Sequence, residues 1–293
     1  MIQNKKFLIV GTVRNCENTL ICDVDRILKA LPDKATAKWM LVESDSSDLT
    51  LSVLSMLEKK IKGFNYISTG NLNNKMPLRA DRIAYCRNIY LNEFRNGKQY
   101  QDVDYIIASD FDGINYAVNK QSINSCWDRD GWDVCTANSF GNYYDLWALR
   151  HDYWCPNDCF IQYNTMKSMG ISAAKSYFIS VYSRMIKIPI EADWIEVKSA
   201  FGGMAIYKRE AFSVSQYNGL REDGTEVCEH VEFHRGIRKA GYKIFINPRF
   251  VNTRLTEHFT KTKMKLILLL ILREKGFNLL NSFFNKFSNP SKK

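Results

Sequence analysis

The chain has 293 residues, 45% of them apolar, enough to bury a sizeable core in one large domain or two small ones. Its formal charge of +10 is unevenly placed: residues 261–293 carry eight Lys or Arg against one Glu, a net of +7, which leaves the preceding 260 residues near +3. That distribution argues against a nucleic-acid groove across the whole protein and for a local basic tail, whose expected partner is an anionic membrane surface.

Eight cysteines without paired metal spacing, and without a secretory leader, read as mostly buried free thiols of a reducing compartment. Cys155 and Cys159 stand four apart with no second pair, which is too little for a zinc site. The basic start KKFLIVGTVR reads as a buried first strand that ends at Arg14. No segment reaches the ~18 consecutive apolar residues that a membrane span needs.

In chain order, short apolar runs alternate with longer helical segments: KKFLIVGT then 18–31, KWMLVES then 48–62, FNYIST then 77–94, and DYIIAS. Strands alternating with helices predict an α/β fold, a parallel sheet covered on both faces. Ligands of such sheets lie at the carboxyl ends of the strands, so chemistry is expected in GTVRN, ESDSSD and DFDG. None of these carries GxGxxG or GxxxxGK[ST], which argues against a dinucleotide-binding domain and a P-loop. Beyond residue 112 the pattern loosens. DVCTANSF, SAFGGMAIY and YKIFINP read as strands, and 143–165 as loop and short helix. One domain is expected over 1–260. The tail over 261–293 contains KMKLILLLILREKGFNLLNSFFNKF, suited to a bilayer interface or to a helix packed on the domain.

The sharpest motif is YIIASDFDGIN, a buried strand ending in carboxylates spaced i, i+2. In extended backbone Asp110 and Asp112 share a face and can converge on one oxygen-loving cation, while Phe111 packs inward. Mn²⁺ or Mg²⁺ held there would neutralise the charge that builds on a departing diphosphate. An acidic turn closed by Gly113 is the plain alternative. The segment MPLRADRIAYCRN reads as a helix from Pro77 with Ile83, Cys86, Tyr90 and Phe94 on its core stripe. Arg79, Arg82 and Arg87 then face away from that stripe, and Arg87 is the favoured fork of donors for phosphate. His230 and His234, spaced i, i+4, lack a third ligand and read as structural histidines.

The order GTVRN, ESDSSD, RIAYCRN, ASDFDG, YYDLWALR, FGGMAIY and CEHVEF resembles the fungal capsule-associated alpha-1,3-mannosyltransferase family and its bacterial relatives, over roughly residues 5 to 260. The Arg-Asn helix is also similar to that of fungal Golgi mannan-polymerase subunits. The resemblance implies a GT-A type, Rossmann-like mixed sheet flanked by helices, a nucleotide-diphosphate sugar donor and Mn²⁺ or Mg²⁺. It assigns Asp110 and Asp112 to metal and diphosphate, and Thr12, Arg14 and Glu43 to base and ribose. Asp145 and Arg150 are placed near the transferred sugar, with a buried Asp145–Arg150 ion pair as the alternative. Gly202 and Gly203 would allow close approach of backbone to sugar. Glu229 and His230 stand at a helix start near the acceptor, Glu229 as general base or orienting group. His258 would be a third metal ligand.

The expected activity is metal-dependent transfer of a hexose, mannose favoured, to a glycan or lipid-linked glycan, in capsule or lipopolysaccharide synthesis. With no membrane anchor ahead of the first strand, the expected location is cytoplasmic, peripheral on the inner face of the membrane. The rivals are a sugar-1-phosphate nucleotidyltransferase, which normally carries a Gly-rich basic loop after the first strand, and a non-enzymatic basic binding protein.

Overall fold

The computed structural model describes residues 4–254. Within them one eight-stranded sheet is built from β1 (Lys6–Val13), β2 (Thr36–Glu43), β3 (Phe64–Ser68), β4 (Tyr105–Ser109), β5 (Val134–Ser139), β6 (Ile195–Val197), β7 (Met204–Lys208) and β8 (Ile244–Thr253). The strand order is β3-β2-β1-β4-β7-β5-β8-β6. β1 pairs in parallel with β2 and β4, and β2 with β3. β7 enters antiparallel between β4 and β5, and β6 closes the far edge antiparallel to β8. The fold class is α/β, as the alternating pattern predicts, but the sheet is mixed rather than parallel, because β7 and β6 pair antiparallel with their neighbours.

Both faces are covered, which explains the unbroken apolar runs. Phe7 and Ile9 of β1 join one core, with Trp39, Leu41 and the helices α1 (Leu20–Ala30) and α2 (Thr50–Lys60). Leu8 and Val10 point the other way, to Met40, Ile106, the long helix α3 (Arg79–Asn96) and α8 (Glu229–Lys239). The remaining helices are short: α4 (Lys120–Asn124), α5 (Cys159–Ser168), α6 (Ala173–Ser180) and α7 (Arg209–Ser213). No helix among the described residues is long and apolar enough to cross a membrane.

Two expectations change. SAFGGMAIY is not one strand: Gly202 and Gly203 form a turn with φ of +70° and +85°, so the extended run of β7 begins only at Met204. The arginines of α3 do not all face solvent. Arg79 is exposed, but Arg82 and Arg87 are buried, since α3 packs toward α8 and acidic partners reach both side chains. Of the expected stripe, Cys86, Tyr90 and Phe94 are buried, while Ile83 is half-buried. Seven of the eight cysteines are buried free thiols and Cys22 is exposed. His258 and the tail over 261–293 lie outside the described residues.

Candidate active site

A cavity of about 550 Å³ opens at the carboxyl ends of β1 and β4, lined by Thr12 and Arg14, by Asp110 and Asp112, and by Arg79, Arg82 and Arg87 of α3. Its other wall is Tyr144, Asp145, Gly203, Glu229 and His230. The loops after β1 and β2 are locked together. The Asn15 backbone N–H donates to Ser46 Oγ (3.2 Å), Ser47 N–H to Asn15 Oδ1 (2.8 Å) and Leu49 N–H to Glu17 Oε2 (2.7 Å).

β4 ends at Ser109, and the two acids follow it. Phe111 between them is buried against Trp39, as alternation requires. This close approach needs Gly11: a Cβ there would lie 2.4 Å from the Phe111 ring and 2.5 Å from the Ser109 carbonyl oxygen. The acidic turn is clamped from behind. Gly113 N–H donates to Asp23 Oδ2 (2.9 Å), and Thr19 Oγ1 donates to the Phe111 carbonyl (2.8 Å). Asp110 N–H donates to the Gly203 carbonyl (2.9 Å). Asn115 Nδ2 donates to the carbonyls of Asp110 (2.7 Å) and Gly203 (3.2 Å), and Asn252 Nδ2 to Asn115 Oδ1 (2.7 Å) and the Gly202 carbonyl (2.6 Å).

The electrostatics are those of crowded acids. Burial, then the Asp112 carboxylate, pushes the Asp110 carboxyl up to about 7, against the pull of Arg87. Asp110 still reaches the cavity, its side chain 38% exposed. Arg87 is buried and donates from Nε to Glu229 Oε1 (2.9 Å) and from Nη1 to Tyr90 OH (3.1 Å). Its Nη2 lies 3.5 Å from Asp110 Oδ1, and the guanidinium sits over the Phe201 ring at 5.3 Å. A fixed, desolvated cation thus sits between the Glu229 and Asp110 carboxylates.

Two carboxylate oxygen donors fit a hard divalent cation. No group of three His, Cys, Asp or Glu suited to a metal is found among the described residues, and His258, the expected third ligand, lies outside them.

The other sequence-derived residues divide. Asp145 lines the cavity and accepts the Gly202 N–H (2.8 Å). His230 lines it too, buried and stacked on Phe201 at 3.8 Å, with burial and Arg87 holding its pKa well below the usual range. Glu43, Gly202 and Arg150 do not line it. Glu43 is buried as a cap, accepting from Ser46 N–H (2.9 Å) and closely from Ser68 Oγ. Gly202 is drawn back by Asn252 and Asp145. Arg150 pairs with Asp158 (2.8 Å) rather than with Asp145, because Asp158 already caps α5 and also holds Arg221 (2.8 Å). His234 is a structural histidine between Ser199 Oγ and Tyr207 OH, each at 2.9 Å.

The clamp of Asp23, Asn115 and Asn252, and the Asp158 hub, were not legible as site residues. Gly11 alone carried a local signal, a glycine inside a strand pattern.

No protein-family model and no curated protein matches the chain, so the resemblance to the fungal capsule-associated family has no matching model behind it. Among solved structures it is similar to the mannosyltransferase PcManGT from Pyrobaculum calidifontis in complex with GDP-Man and Mn²⁺: 12% identity, 89% of this chain and 61% of that one, TM-score 0.48. Glucosyl-3-phosphoglycerate synthase from Mycobacterium tuberculosis, in complex with phosphoglyceric acid, shares 11% identity over 92% of this chain and 80% of its own, at TM-score 0.42. S. aureus TarS 1–349 shares 14% over 98% and 75%, at TM-score 0.43. The chain spans less than two thirds of the PcManGT chain. At such identity and overlap, a functional reading has to come from this chain's own side chains.

Proposed function

We propose that the protein is a metal-assisted glycosyltransferase that moves a hexose, mannose by the motif resemblance, from a nucleotide-diphosphate sugar to a hydroxyl of a glycan or lipid-linked glycan. The observation that carries this is the cavity lined by Asp110 and Asp112, into which the buried Arg87 guanidinium brings a cation 3.5 Å from Asp110. That is a charge arrangement suited to a diphosphate bridged by Mn²⁺ or Mg²⁺.

Asp110 and Asp112 would hold the cation, and when bound it would supply Lewis-acid neutralisation of the departing diphosphate. Arg87 adds a second positive charge whose direction is fixed by Glu229 and Tyr90. Because Glu229 is engaged with Arg87, the geometry favours an orienting role for it over that of general base. Asp145, aimed by the Gly202 N–H, is suited to a sugar hydroxyl. Thr12 and the exposed Arg14 stand at the nucleoside end. A role in capsule or lipopolysaccharide synthesis, on the cytoplasmic face of a membrane, completes the reading.

The test is a panel of UDP- and GDP-sugars with Mn²⁺, following nucleotide release with and without EDTA. Release is expected with at least one donor, to vanish with EDTA, and to fall on the order of a thousandfold in Asp112→Asn. The exposed side chain predicts an unchanged melting temperature for that variant. Metal-independent turnover, or pyrophosphate release from sugar 1-phosphate and nucleoside triphosphate, would overturn it.

A further inference from the structure

The hairpin of α5 and α6, with the chain that follows it to Ile190, has a composition unlike the rest of the molecule. Residues 159–190 contain no Asp or Glu, yet carry Lys167, Lys175, Arg184 and Lys187. Large apolar side chains face water along the same segment: Met169 is 71% exposed, and Phe160, Ile161, Phe178, Ile186 and Ile190 are each 42–47% exposed. Basic and apolar groups share faces, Lys175 with Phe178 at i, i+3 and Phe160 with Lys167 at i, i+7. The lysines are not neutralised as Lys29 is by Asp25 or Lys120 by Asp33. Instead Lys167 lies over the Tyr163 ring (5.4 Å) and Lys187 over Phe140 (5.5 Å), itself exposed.

We propose that this segment is a docking surface for an anionic lipid bilayer. Aromatic and aliphatic side chains interleaved with lysines, with acids excluded, are what an interfacial helix uses to sit at the headgroup level. Charge chooses the occupant. The tail over 261–293 is strongly basic and a second copy of this surface is basic, so each meets like charge, whereas anionic headgroups complement Lys167, Lys175 and Lys187; Arg184 is turned inward to Asn157 and Gln162.

The surface adjoins the cavity, because Phe160, Tyr177, Val181 and Met185 form its apolar end while neighbouring residues of the same segment face outward. A docked protein would therefore present that end to the bilayer and take its acceptor from there. This last consequence rests on the transferase reading; the docking does not.

The experiment is co-sedimentation of the full chain with vesicles of equimolar phosphatidylglycerol and phosphatidylcholine, and with phosphatidylcholine alone. Binding is expected to the former and to be far weaker to the latter. Lys167→Glu/Lys175→Glu and, separately, Ile161→Ser/Phe178→Ser should each lower the partition coefficient on the order of thirtyfold. All four residues are exposed, so both variants should melt as the parent does, and each pair tests the surface if the other misfolds. Undiminished binding in both would assign membrane attachment elsewhere in the chain and overturn the proposal. So would equal binding to neutral vesicles, or a loss of self-association with vesicle binding unchanged. Nucleotide release measured on the same preparations separates the two readings: its absence in the parent sinks the transferase and leaves the vesicle result standing.

Discussion

The two halves of the chain reach the cavity by different means. Residues 4–112 bring most of their groups on the ends of parallel strands, where Arg14 and Asp112 are exposed and the loops between are tied mainly to each other. Residues 113–254 rely on buried groups: Glu229 and His230 line the cavity and Asn115 and Asn252 brace it from behind, all at least 95% buried. Arg87 is where the halves meet, an α3 side chain whose counter-charge lies 142 residues further on. The first half thus separates site from scaffold, and the second half makes them the same residues. Substitutions at the exposed strand-end groups of the first should cost binding alone, and at the buried groups of the second binding and folding together.

The largest effect is expected at the junction. Glu229→Ala strands the buried Arg87 charge, and a buried ion pair broken from one side costs about 3–5 kcal/mol. A lowered urea midpoint should accompany loss of nucleotide release. Glu229→Gln keeps an acceptor for Arg87 Nε and should lose less. If Glu229→Ala abolished release with the fold as stable as before, Glu229 would be a catalytic group and the fusion of site and scaffold would be wrong.

Acid should weaken the second half next. Burial, then Arg87, holds the His234 pKa down to about 3, against an unfolded value near 6.5. The folded state resists the proton, so this stability is complete above pH 6.5 and is lost as pH falls toward 3, at up to about 1.4 kcal/mol per pH unit. Asp110 and Asp23, both raised, act with the opposite sign over part of that window. The measurement is therefore a difference: the gap in unfolding free energy between the parent and His234→Gln should shrink by roughly 2 kcal/mol from pH 7 to pH 5. An unchanged gap would mean the ring is already charged or solvated.

Asn252→Ala removes both Nδ2 bonds of a fully buried side chain, leaving Asn115 Oδ1 and the Gly202 carbonyl short of a donor. The expected cost is about 1–3 kcal/mol, with weaker Mn²⁺ binding because the same network holds the backbone of Asp110 and Gly203. Lost stability with metal affinity intact would detach the network from the site.

How much of this could be read in advance follows the same division. The strands of the first half announce themselves because both faces of the sheet are buried, which leaves apolar runs at regular intervals, and DFDG stands at a strand end where ligands collect. Glu43 and Arg150 stand near the cavity's segments in sequence, but Ser46, Ser68 and Asp158 capture them, and such pairing leaves no local trace. The burial of Arg87 was invisible for the same reason, since charge on a helix arc reads as solvent-facing until a distant Glu is brought over it. In the second half the elements are short, β7 has five residues and β6 three, and nothing local says that β7 will slot antiparallel between β4 and β5.

The smallest effect belongs to the first half and tests the comparison from its other side. Arg14 is exposed, donates from Nε to the Asp45 carbonyl (3.2 Å) and lines the cavity at the end proposed for the nucleoside. Arg14→Gln returns that carbonyl to water, so stability should stay within about 0.5 kcal/mol of the parent. An exposed cation facing a phosphate contributes less than about 1 kcal/mol, so the donor KM should rise by up to about fivefold with kcat unchanged. Salt decides whether the effect is electrostatic: at 1 M the screening length falls to about 3 Å, and parent and variant should converge. If Arg14→Gln instead lowered the urea midpoint as far as Asn252→Ala, the strand-end loops would be scaffold as well, and the contrast between the halves would disappear.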